Sequence, residues 1–132
     1  MSIQFSVAVR NARLDQIETT ISTTPTMKIF SGSAPANCAA SDSGTVLATL
    51  ALPSDWMAAA ASGSKAKSGT WQDTSADATG TAGYFRIYDG STACHIQGTC
   101  GIGSGDLQLD NTSFATGQSF TVTAFTLTDG NA

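Results

Sequence analysis

The sequence predicts a mainly β chain: an antiparallel β-sandwich or jelly-roll-like domain with one N-terminal α-helix and a short helix in a long inter-strand loop. Three observations carry this expectation. About seven or eight short strand-like runs, several with apolar residues at period two, are separated by frequent turns marked by Gly, Pro, Asn and Asp. A long helical stripe occurs only near the N-terminus. Charged residues make up 12% of the chain, against about 25% in a typical protein. Thr, Ser, Ala and Gly take their place, which suits strands whose solvent faces carry hydroxyls. The 132 residues fit one domain, with a helical arm at 1–22 and a β-core at 26–132. A chain of this size buries roughly two thirds of its unfolded surface, so it needs no metal or disulfide to hold a core.

The first segment has two features. Ile3, Phe5, Val7 and Val9 alternate, which suggests an extended lead-in. Ser6 is a good N-cap, and Val7, Leu14, Ile17 and Ile21 fall on one helical stripe, so a helix is expected from about Val7 to Ile21. Met27 to Phe30 reads as a strand, and the glycine- and proline-marked stretch after it as a loop. TVLATLAL places Val46, Ala48, Leu50 and Leu52 on one face, with Leu47, Thr49 and Ala51 opposite. Pro53 ends that strand. Ser54 can cap a short helix through Trp56, Met57 and the alanine run, and Gly63 can stop it. A strand resumes at Thr70 to Asp73.

TAGYFRIYDG sends Phe85 and Ile87 one way and Tyr84, Arg86 and Tyr88 the other, and Asp89-Gly90 signals a hairpin into ACHIQGTC. GIGSG reads as a flexible hairpin end before DLQLDN. In the last strand Phe120 and Val122 share a face while Phe125 and Leu127 take the other phase. A slip near Thr123-Ala124 implies a β-bulge or a strand buried on both faces.

Composition excludes some partners. The pI near 4.5 and six scattered Lys and Arg give no basic stripe for nucleic acid. No apolar run approaches the roughly 20 residues that cross a membrane. SIQFSVAV is too short for a signal peptide and lacks a basic lead, so use without export by the usual route is expected.

No reactive centre emerges from the residue pattern. Cys94 and His95 are strand neighbours pointing to opposite faces, so they cannot share a metal ion. His95 stands alone among common Ser and Asp residues, and no nucleophile-elbow motif occurs. GIGSGD is followed by strand rather than helix, so it lacks the geometry of a phosphate loop. The aspartates sit in turns, where they accept backbone hydrogen bonds. Cys38, Cys94 and Cys100 leave at least one thiol unpaired in a monomer. On a continuous strand Cys94 and Cys100 would share a face about 20 Å apart, too far for a disulfide. Buried free thiols are therefore expected, and no cofactor or metal.

The aromatics offer two readings. The stripe Tyr84-Arg86-Tyr88 is either covered by the N-terminal helix or the Trp56 segment, or exposed as an interface. Trp56 and Trp71 add amphipathic surface that also suits sugars. Lys65 and Lys67 form a local basic pair, read as a solvated turn.

RNARLDQIETTI, GTVLATLALPSDWM, GTWQDTSADATGTAGYFRIYDG and LDNTSFATGQSFTVTAFTLTDGN together resemble small virion proteins of tailed bacteriophages and prophages, across nearly the whole chain. The resemblance implies a non-enzymatic structural component on the capsid exterior, a head decoration or cement protein with a β-sandwich core, synthesised in the host bacterial cytoplasm. Its implied partners are the major capsid protein and further copies of itself, as a dimer or trimer. A tail component or a carbohydrate-binding module contacting host glycan is the alternative. Candidate interface residues are Ile3 and Phe5 in the lead-in, Arg10 and Arg13 on the helix, Trp56, Lys65, Lys67 and Trp71 in the long loop, and Tyr84, Arg86 and Tyr88 on the strand. The segment from Ser2 to Val9 is expected to meet the capsid. Ser62 to Ser68 is expected to form an exposed tip anchored by Trp56 and Met57.

Overall fold

The computed structural model describes residues 3–129, so Ser2 of the expected docking segment lies outside the described residues. The chain is mainly β with one helix. The elements are α1 (Val7–Ile21), β1 (Thr26–Ser31), β2 (Val46–Ala51), β3 (Ser64–Ala66), β4 (Gln72–Asp73), β5 (Gly80–Tyr88), β6 (Cys94–Gly101), β7 (Leu107–Leu109), β8 (Ser113–Phe114) and β9 (Phe120–Thr128). The strands join in one hydrogen-bonded path, β2-β1-β5-β6-β7-β9-β3, with β4 also on β9 and β8 on β5.

The path curls until its far strands approach each other. The Thr49 amide on β2 donates to Asp73 Oδ2 on β4 at 3.3 Å, and the Thr49 hydroxyl donates to Asp77 at 2.9 Å. The core fills the concave side. Met27, Ile29, Ala48, Leu50, Phe85, Ile87, Leu107, Leu109, Val122 and Phe125 are all buried there. Phe85 meets Phe125 edge-on at 5.6 Å, which ties the middle of the path to its far end.

Two bulges explain where simple alternation fails. Between β1 and β2 the register slips, so that Ile29 pairs with Ala48 and Phe30 with Val46. Leu47 is the extra residue, and it turns inward although it sits on the predicted outer phase. Between β7 and β9, Gln108 pairs with Ala124 and Leu109 with Val122, leaving Thr123 unpaired. That is the bulge expected from the phase change in the last strand.

Four expectations are corrected. No helix follows Ser54: Met57 bridges Lys67, the Ala58 amide donates to the Ala66 carbonyl, and the Ser68 amide donates to the Trp56 carbonyl. The run is an extended hairpin, because burying both Trp56 and Met57 outweighs the helix propensity of alanine. β6 and β7 are parallel, with Cys100 opposite Leu107, so GIGSGD is a tight loop and not a hairpin end. Asp106 closes it by accepting from the Thr99 amide and hydroxyl, and the sheet is therefore mixed. The short strands β3 and β8 have no periodic signal in the sequence. Val7 also leaves the α1 stripe: it is exposed, and Arg10 takes the buried place on that face.

Helix α1 is capped as its sequence implies, with Ser6 Oγ accepting from the Val9 amide. It docks through buried Leu14 and Ile21 and through polar contacts with the 57–67 hairpin and the end of β9. Arg10 Nε donates to the Asp129 carbonyl at 2.7 Å, and Asn11 accepts from the Gly63 amide at 2.9 Å. Gly63 has φ +72, and a Cβ there would lie 2.1 Å from the Arg10 guanidinium. Gly103 has φ +66 and open space around it. Gly63→Ala is therefore expected to cost more than Gly103→Ala, by about 1–2 kcal/mol in chemical unfolding, since only the former must also displace Arg10 from Asp129. Equal losses would remove the Arg10 contact from this account.

Candidate interface

The Tyr84-Arg86-Tyr88 stripe lies on the convex face of β5, and all three residues are buried. Their cover is neither α1 nor the Trp56 segment but the 32–45 loop between β1 and β2. Arg86 uses its whole guanidinium to hold that loop. Nη1 donates to the Ala40 carbonyl at 2.9 Å and to Asp42 Oδ1 at 2.8 Å, and Nη2 donates to the Asn37 carbonyl at 3.0 Å. Nε and Nη2 both donate to Gln97 Oε1 on β6, at 3.1 and 2.9 Å. Five N–H groups thus make five bonds. Gln97 in turn donates to the Pro35 carbonyl at 2.8 Å.

The two tyrosines fasten the same loop. Tyr84 donates to the Ser43 carbonyl and accepts from its amide, while its ring stacks on Phe30 at 4.7 Å. Tyr88 donates to Asp42 Oδ1 at 2.8 Å. Burial, aided by this neighbouring carboxylate, pushes the Tyr88 phenol well above its ordinary range. These residues are buried and satisfy the chain's own loop.

Trp56 and Trp71 are interior too. Their rings lie 6.1 Å apart, and Trp71 lies 5.5 Å from Phe125. Each indole N–H reaches a carbonyl, Trp56 that of Ser22 and Trp71 that of Ser68. The segment from Leu52 to Asp73 therefore closes the end of the curled sheet as a plug. The exposed-tip expectation for Ser62 to Ser68 is corrected at its centre, since Gly63 and Lys65 are buried. The solvated-turn reading of Lys65 fails for the same reason. Its ammonium donates to Asp15 at 2.6 Å and to the Ala58 carbonyl at 2.9 Å. Glu18 lies 3.6 Å away. Lys67 stays at the surface, donating to the Gly69 carbonyl above the Trp71 ring. Of the helix arginines, Arg10 is buried and Arg13 exposed.

What remains outward is the N-terminal stretch. Ile3, Phe5, Val7 and Val9 are 77%, 38%, 50% and 43% exposed, and with Ile102 they are the exposed large apolar residues among those described. Arg13 lies over the Phe5 ring at 5.0 Å and bonds Asp129 at 3.2 Å. The structure thus brings Ile3, Phe5 and Arg13 together at one surface. It sends Arg10, Trp56, Lys65, Trp71, Tyr84, Arg86 and Tyr88 inside.

His95 bonds Asp89 at 2.9 Å. The shallow depression beside it is lined by Arg13, Gln16, Ile17, Thr20 and Ile21 and holds no carboxylate. No group of three metal-ligating side chains occurs among the described residues, and no helix is long and apolar enough to cross a membrane. Searches for a matching family model, curated protein or solved structure found none.

Two outcomes test this layout. Arg86→Met removes five hydrogen bonds and takes from the Ala40 carbonyl and Gln97 Oε1 the donor they have here, so it should cost about 3–5 kcal/mol in urea unfolding and open the 32–45 loop to proteolysis. A loss under about 1 kcal/mol with an intact loop would contradict the role given to Arg86. The hydrogen bond from Lys65, with that from the Ala60 amide, holds the Asp15 carboxyl below its ordinary range. A depressed folded pKa contributes stability above the unfolded value of about 3.9, and that contribution is lost as pH falls through the folded value. Asp15→Asn should therefore be less stable than the parent at pH 6 and show a shallower loss below about pH 4. Parallel profiles would exclude the Asp15–Lys65 linkage.

Proposed function

We propose that the chain is a non-enzymatic structural protein of a tailed-phage virion, a head decoration protein bound to the outside of the major capsid protein lattice. The observation that carries this reading is the distribution of apolar surface. The molecule buries its aromatic stripe, both tryptophans and half of its basic residues, yet keeps Ile3, Phe5, Val7 and Val9 in water at one end. Such a patch on an otherwise hydroxyl-rich surface fits a docking segment rather than a catalytic cleft. A rigid β-core with one projecting attachment element suits a protein repeated over a lattice, where weak single contacts add by avidity.

The competing readings lose their supporting features. Glycan recognition called for an exposed indole beside a groove, and both indoles are interior. Catalysis at His95 called for a pocket with two carboxylates converging on it, and His95 has the single partner Asp89 beside a shallow surface.

The test is the composition of purified particles from the phage or induced prophage that encodes the chain. Quantitative mass spectrometry should find it on heads in copy numbers that follow the capsomers. Absence from particles, or restriction to tails, would overturn the head assignment. In the same particles, the double variant Ile3→Ser, Val7→Ser should lower occupancy by about tenfold or more while leaving the melting temperature nearly unchanged, because both side chains are half or more exposed in the free protein. Full occupancy of the variant would exclude the N-terminal patch as the attachment site.

A further inference from the structure

Cys38 and Cys94 come together across the covered face of the sheet, and three features of the fold place them there. The first is a bulge in β6. Ile87 pairs with Ile96, but Tyr88 pairs with Cys94 and not with His95. Paired residues share a face, so the bulge turns Cys94 to the side of Tyr88 and Arg86. The second is the clamp on the 32–45 loop. Arg86 holds the carbonyls of Asn37 and Ala40, on either side of Cys38. The Asn37 side chain also accepts from the Ala39 and Ala40 amides, which fixes the turn. The third is a common surface: both thiols line one open cleft of about 570 Å³, together with Asp42, Arg86 and Tyr88. Both are partly exposed.

We propose that Cys38 and Cys94 are a redox pair that closes to a disulfide in an oxidising environment and staples the 32–45 loop to β6. The bulge also fixes which pair can form. Cys100 packs on the concave side against the core, so Cys94 and Cys100 lie on opposite faces of β6, and the shared face of an unbroken strand is corrected.

The chemistry needs an oxidant, and a small-molecule disulfide such as oxidised glutathione supplies it. The Cys38 thiolate attacks one sulfur of that disulfide and releases one small thiolate, leaving a mixed disulfide on Cys38. The Cys94 thiolate then attacks Cys38 Sγ and releases the second. The two protein thiols give up two electrons and two protons, and the small disulfide ends as two thiols. Burial first, then hydrogen bonding to Cys38, pushes the Cys94 thiol up to about 12. The closing step is therefore slow at neutral pH and quickens as pH rises. Such a pair stays reduced in a glutathione-rich cytoplasm and closes outside it.

The test is incubation of the full chain with oxidised glutathione at pH 8.5, followed by thiol counting in denaturant and peptide mapping. The expected result is a fall from three free thiols to one, a peptide pair joining Cys38 to Cys94, and a rise in melting temperature of roughly 5–10 °C that a reductant reverses. Cys100→Ser should behave as the parent does, losing both of its thiols. Cys38→Ser and Cys94→Ser should form no intramolecular bond. Three remaining thiols, a stable glutathione adduct on Cys38 with Cys94 still free, or a bond that includes Cys100 would each overturn the proposal. The parent experiment needs no variant, so a folding defect in a substituted chain does not obscure the outcome.

Discussion

Arg86 carries a permanent charge and five N–H donors, and it sits near the end of a central strand with both faces covered. In that position it must be fully bonded, because an unpaired buried guanidinium is far costlier than any contact it makes is favourable. Its partners come from two places: two carbonyls and a carboxylate in the 32–45 loop, and an amide on the next strand. Satisfying the arginine therefore determines the loop. The loop has little apolar content of its own to hold it down. Tyr84 and Tyr88 supply the remaining anchors, and the ring of Tyr84 completes the packing against Phe30.

The same economy runs through the rest of the molecule. The chain has six Lys and Arg, and three of them, Arg10, Lys65 and Arg86, are buried. Each joins elements that apolar packing alone would leave loosely related. Arg10 joins the helix to the last strand, Lys65 joins the long hairpin to the helix, and Arg86 joins the loop to the sheet. The scarcity of charge at the surface follows in part from this use of cations inside. Helix α1 has a weak apolar stripe, so its orientation rests on Arg10, Asn11 and Asp15 as much as on Leu14 and Ile21.

The long elements were legible because their signals are local. Ser6 announced the helix start, period-two runs located β2, β5 and β9, the Asp89-Gly90 turn located β6, and the changed phase of Phe125 pointed to a bulge or a strand buried on both faces. The hairpin after Ser54 was hidden, because alanine favours helix and the deciding factor is the pocket that takes Trp56 and Met57. β3 and β8 span 3 and 2 residues, too short for any period to show. The interior place of Arg86 was half visible, as a charge between two tyrosines on a strand. Its partners were not, since two of them are backbone carbonyls and carry no sequence signature. Of the candidate interface, Ile3, Phe5, Arg13 and Lys67 kept surface positions. The two tryptophans and two tyrosines did not, because composition alone does not tell a binding aromatic from one that fills a core.

This arrangement leaves a protein whose sheet is already occupied by its own loop and whose N-terminal stretch, among the described residues, presents the clustered apolar surface. The docking proposed for that stretch would require no rearrangement of the β-core. The most direct measurement is hydrogen exchange of the chain free and bound on purified particles, compared segment by segment. Protection gained over residues 3–9, with exchange in the 32–45 loop unchanged, is the expected result. Protection gained at the loop and β5 with residues 3–9 unaltered would show that the covered face opens to its partner, and would contradict the account.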